Sequence, residues 1–113
     1  MKIIKNFEAQ IYNNSDQCQA IVYPLNVKEI DSSLIKVNGR YPDTGFCCNE
    51  ICKEICYIND GSGTLGLDNK EYPFLKGDII FIDSMEKYFW TGDFSMVTSC
   101  TPAWYPEQHK TVL

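Results

Sequence analysis

Six cysteines, a single histidine and two glutamates four residues apart carry most of the chemistry open to this chain. Cys48, Cys52 and Cys56 also stand four residues apart. That spacing matches neither the paired C-x2-C ligands of a zinc knuckle nor an iron–sulfur run. Cys18, Cys47 and Cys100 complete the set. The sole histidine, His109, excludes three-His zinc sites and two-His-one-carboxylate iron sites built within one chain. A Cys–His nucleophile pair would have to recruit His109 to one of the thiols, and no nucleophile elbow surrounds any of them. The simpler expectation for His109 is an exposed or tail-packing residue.

Glu54 follows Lys53 and opens the apolar run Ile55-Cys56-Tyr57-Ile58. A carboxylate turned into an apolar interior must find a partner or take up a proton, and burial then raises its pKa toward that of a general acid or base. The alternative is a carboxylate facing solvent at a strand end, and local pattern leaves both open. Asn59-Asp60-Gly61-Ser62-Gly63 has the glycines of a phosphate cradle, but a cradle needs a helix directly behind it. Thr64-Leu65-Gly66-Leu67 follows instead, so a hairpin turn is expected.

The elements that must position these groups are strands. The chain has 113 residues, 44% hydrophobic and 22% charged, which suits one globular domain, residues 1-113. Short apolar stretches alternate with turn signals at Ala20–Leu25, Leu34–Val37, Phe46–Cys48, Glu54–Ile58, Thr64–Leu67, Glu71–Phe74, Asp78–Ile82, Tyr88–Trp90 and Phe94–Cys100. This pattern predicts an all-β sandwich or barrel. Asn38-Gly39, Asp68-Asn69 and Lys76-Gly77 read as turns, with helical turns near Val27–Asp31 and Glu107–Leu113. Ile79-Ile80-Phe81-Ile82 is apolar at consecutive positions, so both its faces should be covered, by a closed barrel or a second subunit.

A net charge of −5 without clustered basic residues argues against nucleic acid as a partner. No apolar run nears the roughly 18–20 residues that span a bilayer, so no membrane partner is expected. Met1-Lys2-Ile3-Ile4-Lys5-Asn6 lacks the apolar core of a secretion signal, which predicts a cytoplasmic protein with reduced thiols.

Glu54 through Gly63, followed by Glu71 through Ile82, resembles the cupin superfamily of small antiparallel β-barrels, or jelly rolls. Its first motif runs G-x5-H-x-H-x(3,4)-E-x6-G and its second G-x5-P-x-G-x2-H-x3-N. Glu54 and Gly61 match E-x6-G, and Gly77 matches the opening glycine of the second motif. The resemblance spans residues 34-100, the expected barrel core, and leaves 101-113 as a tail behind a flexible N-terminal segment. Counted back from Glu54, the motif histidines fall on Cys48 and Glu50. Counted on from Gly77, the proline falls on Asp83, the glycine on Met85, the histidine on Tyr88 and the asparagine on Gly92. Of four metal-ligand positions only Glu54 is kept, so the metal cofactor of the family is not expected.

The resemblance implies a barrel that binds a small polar organic ligand, a sugar or carboxylic acid derivative, in its interior. The expected pocket holds Cys48, Glu50, Glu54 and Tyr88, with walls from Phe81, Trp90 and Met96, and Arg40, the chain's one arginine, available to a ligand carboxylate. A metal-independent isomerase, epimerase or lyase would use Glu54 as proton carrier and Tyr88 as donor to an enolate oxygen. An interaction module with a filled barrel is the third reading. A homodimer is expected.

Overall fold

A computed structural model describes every residue from Met1 to Leu113. Nine strands form one curled antiparallel sheet: β1 (Gln10–Ser15), β2 (Cys18–Val22), β3 (Asp31–Tyr41), β4 (Phe46–Asn49), β5 (Lys53–Leu67), β6 (Lys70–Leu75), β7 (Ile79–Ile82), β8 (Lys87–Thr101) and β9 (His109–Val112). The all-β expectation holds. Two 15-residue strands, β5 and β8, pair along almost their whole length and form the spine. The far edge of β8 carries β3 and then β4, while β6 and β7 follow one another along β5.

Strand pairing explains which side chains enter the interior. On β8 every even residue from Tyr88 to Cys100 faces inward, and the register sets Glu54 against Cys100, Cys56 against Thr98 and Ile58 against Met96. The register then shifts between Ile58 and Asp60, after which odd residues of β5 face inward, with Gly61 opposite Phe94 and Leu65 opposite Trp90. A bulge of this kind changes which parity is buried. Gly61 sits at φ +80°, and a Cβ there would lie 2.1 Å from the Asp93 carbonyl oxygen, so only glycine fits. The expected hairpin at 59–63 is therefore a bulge inside one continuous strand. The same residue types serve both features, which is why local pattern does not separate them. Asn38-Gly39 likewise lies within β3 rather than in a turn.

Around the bend, Phe74, Trp90 and Phe94 pack edge to face, with ring centroids 4.9 and 5.7 Å apart. Such contacts add about 0.5–1.5 kcal/mol per pair beyond simple burial. Val37, Ile58, Leu65, Ile82 and Met96 fill in around them.

Both chain ends depart from expectation. The N-terminal segment includes β1, an edge strand paired with β2. No helix forms at Val27–Asp31, where Asp31 already begins β3. At the other end, a 3-10 turn at Pro106–Gln108 leads into β9, which pairs with β4 and places His109 opposite Asn49. Only one face of β7 is covered in the single chain. Ile82 is buried, whereas Ile79 and Phe81 are 68% and 59% exposed. No helix is long and apolar enough to cross a membrane.

Candidate active site

Glu54 enters the interior near the start of β5 and meets a buried amide network. Asn49, at the end of β4, is fully buried and donates from Nδ2 to Glu54 Oε1 at 3.1 Å. Asn49 Oδ1 accepts from Gln108 Nε2 at 3.0 Å and lies 2.9 Å from His109 Nδ1. Gln108 Oε1 in turn takes the backbone N–H groups of Ile51 and Cys52, at 3.3 and 3.1 Å. Four residues from three separate parts of the chain thus converge, and both amide side chains are paired at oxygen and nitrogen. A fully satisfied network of this kind rigidifies the groups it joins. On the other side, the Cys56 thiol donates to Glu54 Oε2 at 3.9 Å, a weak sulfur bond.

Burial pushes the Glu54 carboxyl above its ordinary value, with Asp31 adding to the rise and the Asn49 hydrogen bond opposing it. Tyr88 is pushed well above the usual phenol value by burial first, then by Glu54, Cys47, Cys56 and Tyr41. It therefore stays a protonated donor. Burial likewise lifts Cys47 to about 12 and Cys56 well above an ordinary thiol. His109 moves the other way, since burial disfavours its cation.

All six thiols are free and buried. Low thiolate character predicts slow alkylation by iodoacetamide in the folded protein, and recovery of all six thiols after unfolding under argon. A disulfide, or one rapidly alkylated cysteine, would contradict this.

The structure brings together only part of the expected pocket. Glu54 and Tyr88 share the interior, although the hydrogen bonds of Glu54 go to Asn49 and Cys56 rather than to Tyr88. Trp90 and Met96 lie in the core. Cys48 does not join them: on β4 its neighbour Cys47 faces inward, and Cys48 turns to the opposite side, beside Glu50 and Lys87. Glu50 is exposed beyond the end of β4. Phe81 points outward because Ile80 and Ile82 occupy the inner face of β7. Arg40 also lies outside, its guanidinium 4.2 Å from the Phe89 ring and bonded to the Gly45 carbonyl at 2.9 Å. It clamps the turn before β4 through the carbonyls of Pro42 and Gly45, away from Glu54.

No protein-family model matches the chain, and no curated protein matches it in sequence. Solved structures do match in shape. The nucleoside dehydratase Pac13 of Streptomyces superposes with a TM-score of 0.88 at 17% identity, covering 99% of this chain and 91% of that one. The polyketide cyclase RemF of Streptomyces resistomycificus gives 0.77 at 16% identity, over 100% and 86% of the two chains. Ectoine synthase from P. lautus gives 0.72 at 13%, over 100% and 91%. The fold is cupin-like.

That fold explains the misplaced pair. The cupin motif allows three or four residues between its second histidine and its glutamate. The four-residue spacer puts the histidine positions on Cys47 and Asn49, the two residues of β4 that do face Glu54. A slip of one residue turns every side chain of a strand to the other face. Gln108 and His109 lie outside both motifs, and only the return of the tail as a strand brings them in.

The cupin-like barrel does not keep a donor set suited to the family's metal. At the four ligand positions stand Cys47, Asn49, Glu54 and Tyr88. The Asn49 oxygen already serves Gln108 and His109, and neither the neutral amide nor the phenol is a usual ligand for a divalent ion. No three His, Cys, Asp or Glu side chains are grouped to hold an ion.

Proposed function

We propose that the barrel takes a small hydroxylated carbonyl compound into its interior and moves a proton on it, with Glu54 as the carrier. The observation that carries this reading is the half-buried Glu54 carboxyl, held by Asn49 at one oxygen and raised toward a general base, in the same interior as the protonated Tyr88. Ionised Glu54 removes the proton from the carbon next to the ligand carbonyl. The electron pair moves onto the carbonyl oxygen, where the Tyr88 hydroxyl donates a hydrogen bond to the forming enolate. Return of the proton gives an isomer. Loss of a β-hydroxyl, protonated by Glu54 as it leaves, gives water and an unsaturated product. The balance closes without oxidant or reductant.

Pac13 is a nucleoside dehydratase, and variants of it carry uridine. Similarity of fold makes nucleosides and related hydroxylated rings the first compounds to try here. A pure binding module would hold the same compound beside Glu54 and Tyr88 without proton transfer. The separating experiment is release of any co-purified small molecule, followed by incubation with fresh protein in deuterated water. Uptake of deuterium on carbon that depends on Glu54 supports the enzyme; binding without exchange leaves only the binding reading, and an interior that takes up no small molecule removes both.

The unit we propose is a homodimer. Ile55 stands opposite Phe81 and Tyr57 opposite both Ile79 and Val97, an apolar patch on the outer face of the sheet. Exposed patches of this kind mark contact surfaces. Light scattering at micromolar concentration should give twice the chain mass, and Phe81→Glu should yield monomer that remains folded. A monomeric wild type would contradict this.

A further inference from the structure

The hydrogen bonds around Asn49 admit one arrangement of donors and acceptors. Gln108 Oε1 accepts the backbone N–H groups of Ile51 and Cys52, so its Nε2 must be the atom that faces Asn49. That N–H needs an acceptor, which fixes Oδ1 of Asn49 toward Gln108 and Nδ2 toward Glu54. The same Oδ1 lies 2.9 Å from His109 Nδ1. An amide oxygen only accepts, so Nδ1 must carry a hydrogen. Gln108 ends the 3-10 turn and His109 begins β9, and this change of backbone lets two consecutive residues reach one atom.

We propose that Gln108 and His109 are positioning residues that fix Glu54 Oε1 as a permanent acceptor and leave Oε2 as the oxygen that gives and takes the proton. The value of this arrangement for turnover rests on the proton-carrier reading above, whereas the arrangement itself needs no substrate. Oε2 faces the Cys56 thiol, so a ligand proton must arrive from that side. The tail strand, outside both cupin motifs, thereby decides which oxygen does the chemistry. The ionisable groups around Glu54 are Asp31 on β3, Cys47 on β4, Cys52 just before β5, Cys56 within β5, and Tyr88 and Cys100 on β8, with His109 on β9 behind Asn49. From β7 the register sets the apolar Ile82 against Glu54.

The test is a long-range proton–nitrogen NMR correlation on uniformly labelled protein, read at a pH where His109 is neutral. Only one histidine contributes. The expected spectrum is that of the Nδ1–H form, with Nε2 bare; the Nε2–H form overturns the proposal. Gln108→Glu supplies the second arm. Its carboxylate still takes the Ile51 and Cys52 N–H groups but presents an acceptor to Asn49, so the amide should turn over. Asn49 Nδ2 would then face His109, which should switch to the Nε2–H form, while Oδ1 faces Glu54 and should raise its proton affinity at least tenfold. A folded Gln108→Glu protein that keeps the Nδ1–H form overturns the proposal.

Discussion

Glu54→Gln is expected to lower ligand affinity or turnover at least tenfold while making the protein more stable near neutral pH. The loss follows from removing a charged hydrogen-bonding partner, which costs about 1.5–3 kcal/mol. The gain follows from linkage. Burial holds the Glu54 carboxyl above its ordinary value of 4.5. A carboxyl raised in the folded state contributes stability that is complete below its unfolded pKa and is lost as pH rises through the folded value. Above the folded value the wild type therefore bears a desolvated carboxylate that the glutamine variant lacks, and each unit of such a shift corresponds to about 1.4 kcal/mol. Gln can still accept from Asn49 through its carbonyl oxygen. Urea denaturation of both proteins at several pH values checks this: the variant's advantage should be present near neutrality and vanish in acid. An advantage that grows in acid, or a variant with unchanged ligand handling, would contradict the account.

The second large effect is expected at Asn49. Asn49→Leu would leave Gln108 Nε2, His109 Nδ1 and Glu54 Oε1 without partners in the interior. An unpaired buried polar group costs about 1–3 kcal/mol, and three share one site, so a loss of about 3 kcal/mol or more is expected. Asn49→Asp distinguishes geometry from polarity. It keeps the acceptor for Gln108 and His109 but replaces the donor toward Glu54 with a second carboxyl oxygen. The two acids must then share a proton, and the pair should bind its first proton far above the usual carboxylate range. Equilibrium unfolding measures the first variant and carboxyl NMR the second. A Leu variant as stable as wild type would show that the network contributes nothing.

Much of the fold was legible because strand patterning is local. The alternation Phe94, Met96, Thr98, Cys100 gives the inner face of β8, and the apolar run after Glu54 gives β5. The bulge was not legible, because Asn59-Asp60-Gly61 satisfies a turn and a bulge equally well until β8 is seen to pair on both sides of it. At the candidate site, motif spacing points to Glu54 and Tyr88. Cys47 and Asn49 were missed by one residue, since four residues of β4 are too few for their own alternation to set a register. Arg40 was misplaced because a lone guanidinium suggests a ligand, whereas its contacts with Phe89 and the Gly45 carbonyl come from the fold of the turn. Gln108 and His109 carried no pattern at all. They sit in a polar stretch, and only long-range pairing of β9 with β4 gives them a role.

Everything proposed for the site depends on Glu54 being a desolvated, protonatable carboxyl pinned at one oxygen. Carbon-13 NMR titration of the glutamate carboxyl groups tests it most directly, with Glu54→Gln identifying the resonance. The signal missing from the variant should titrate above the ordinary value of 4.5. A Glu54 signal that titrates at or below that value would contradict it.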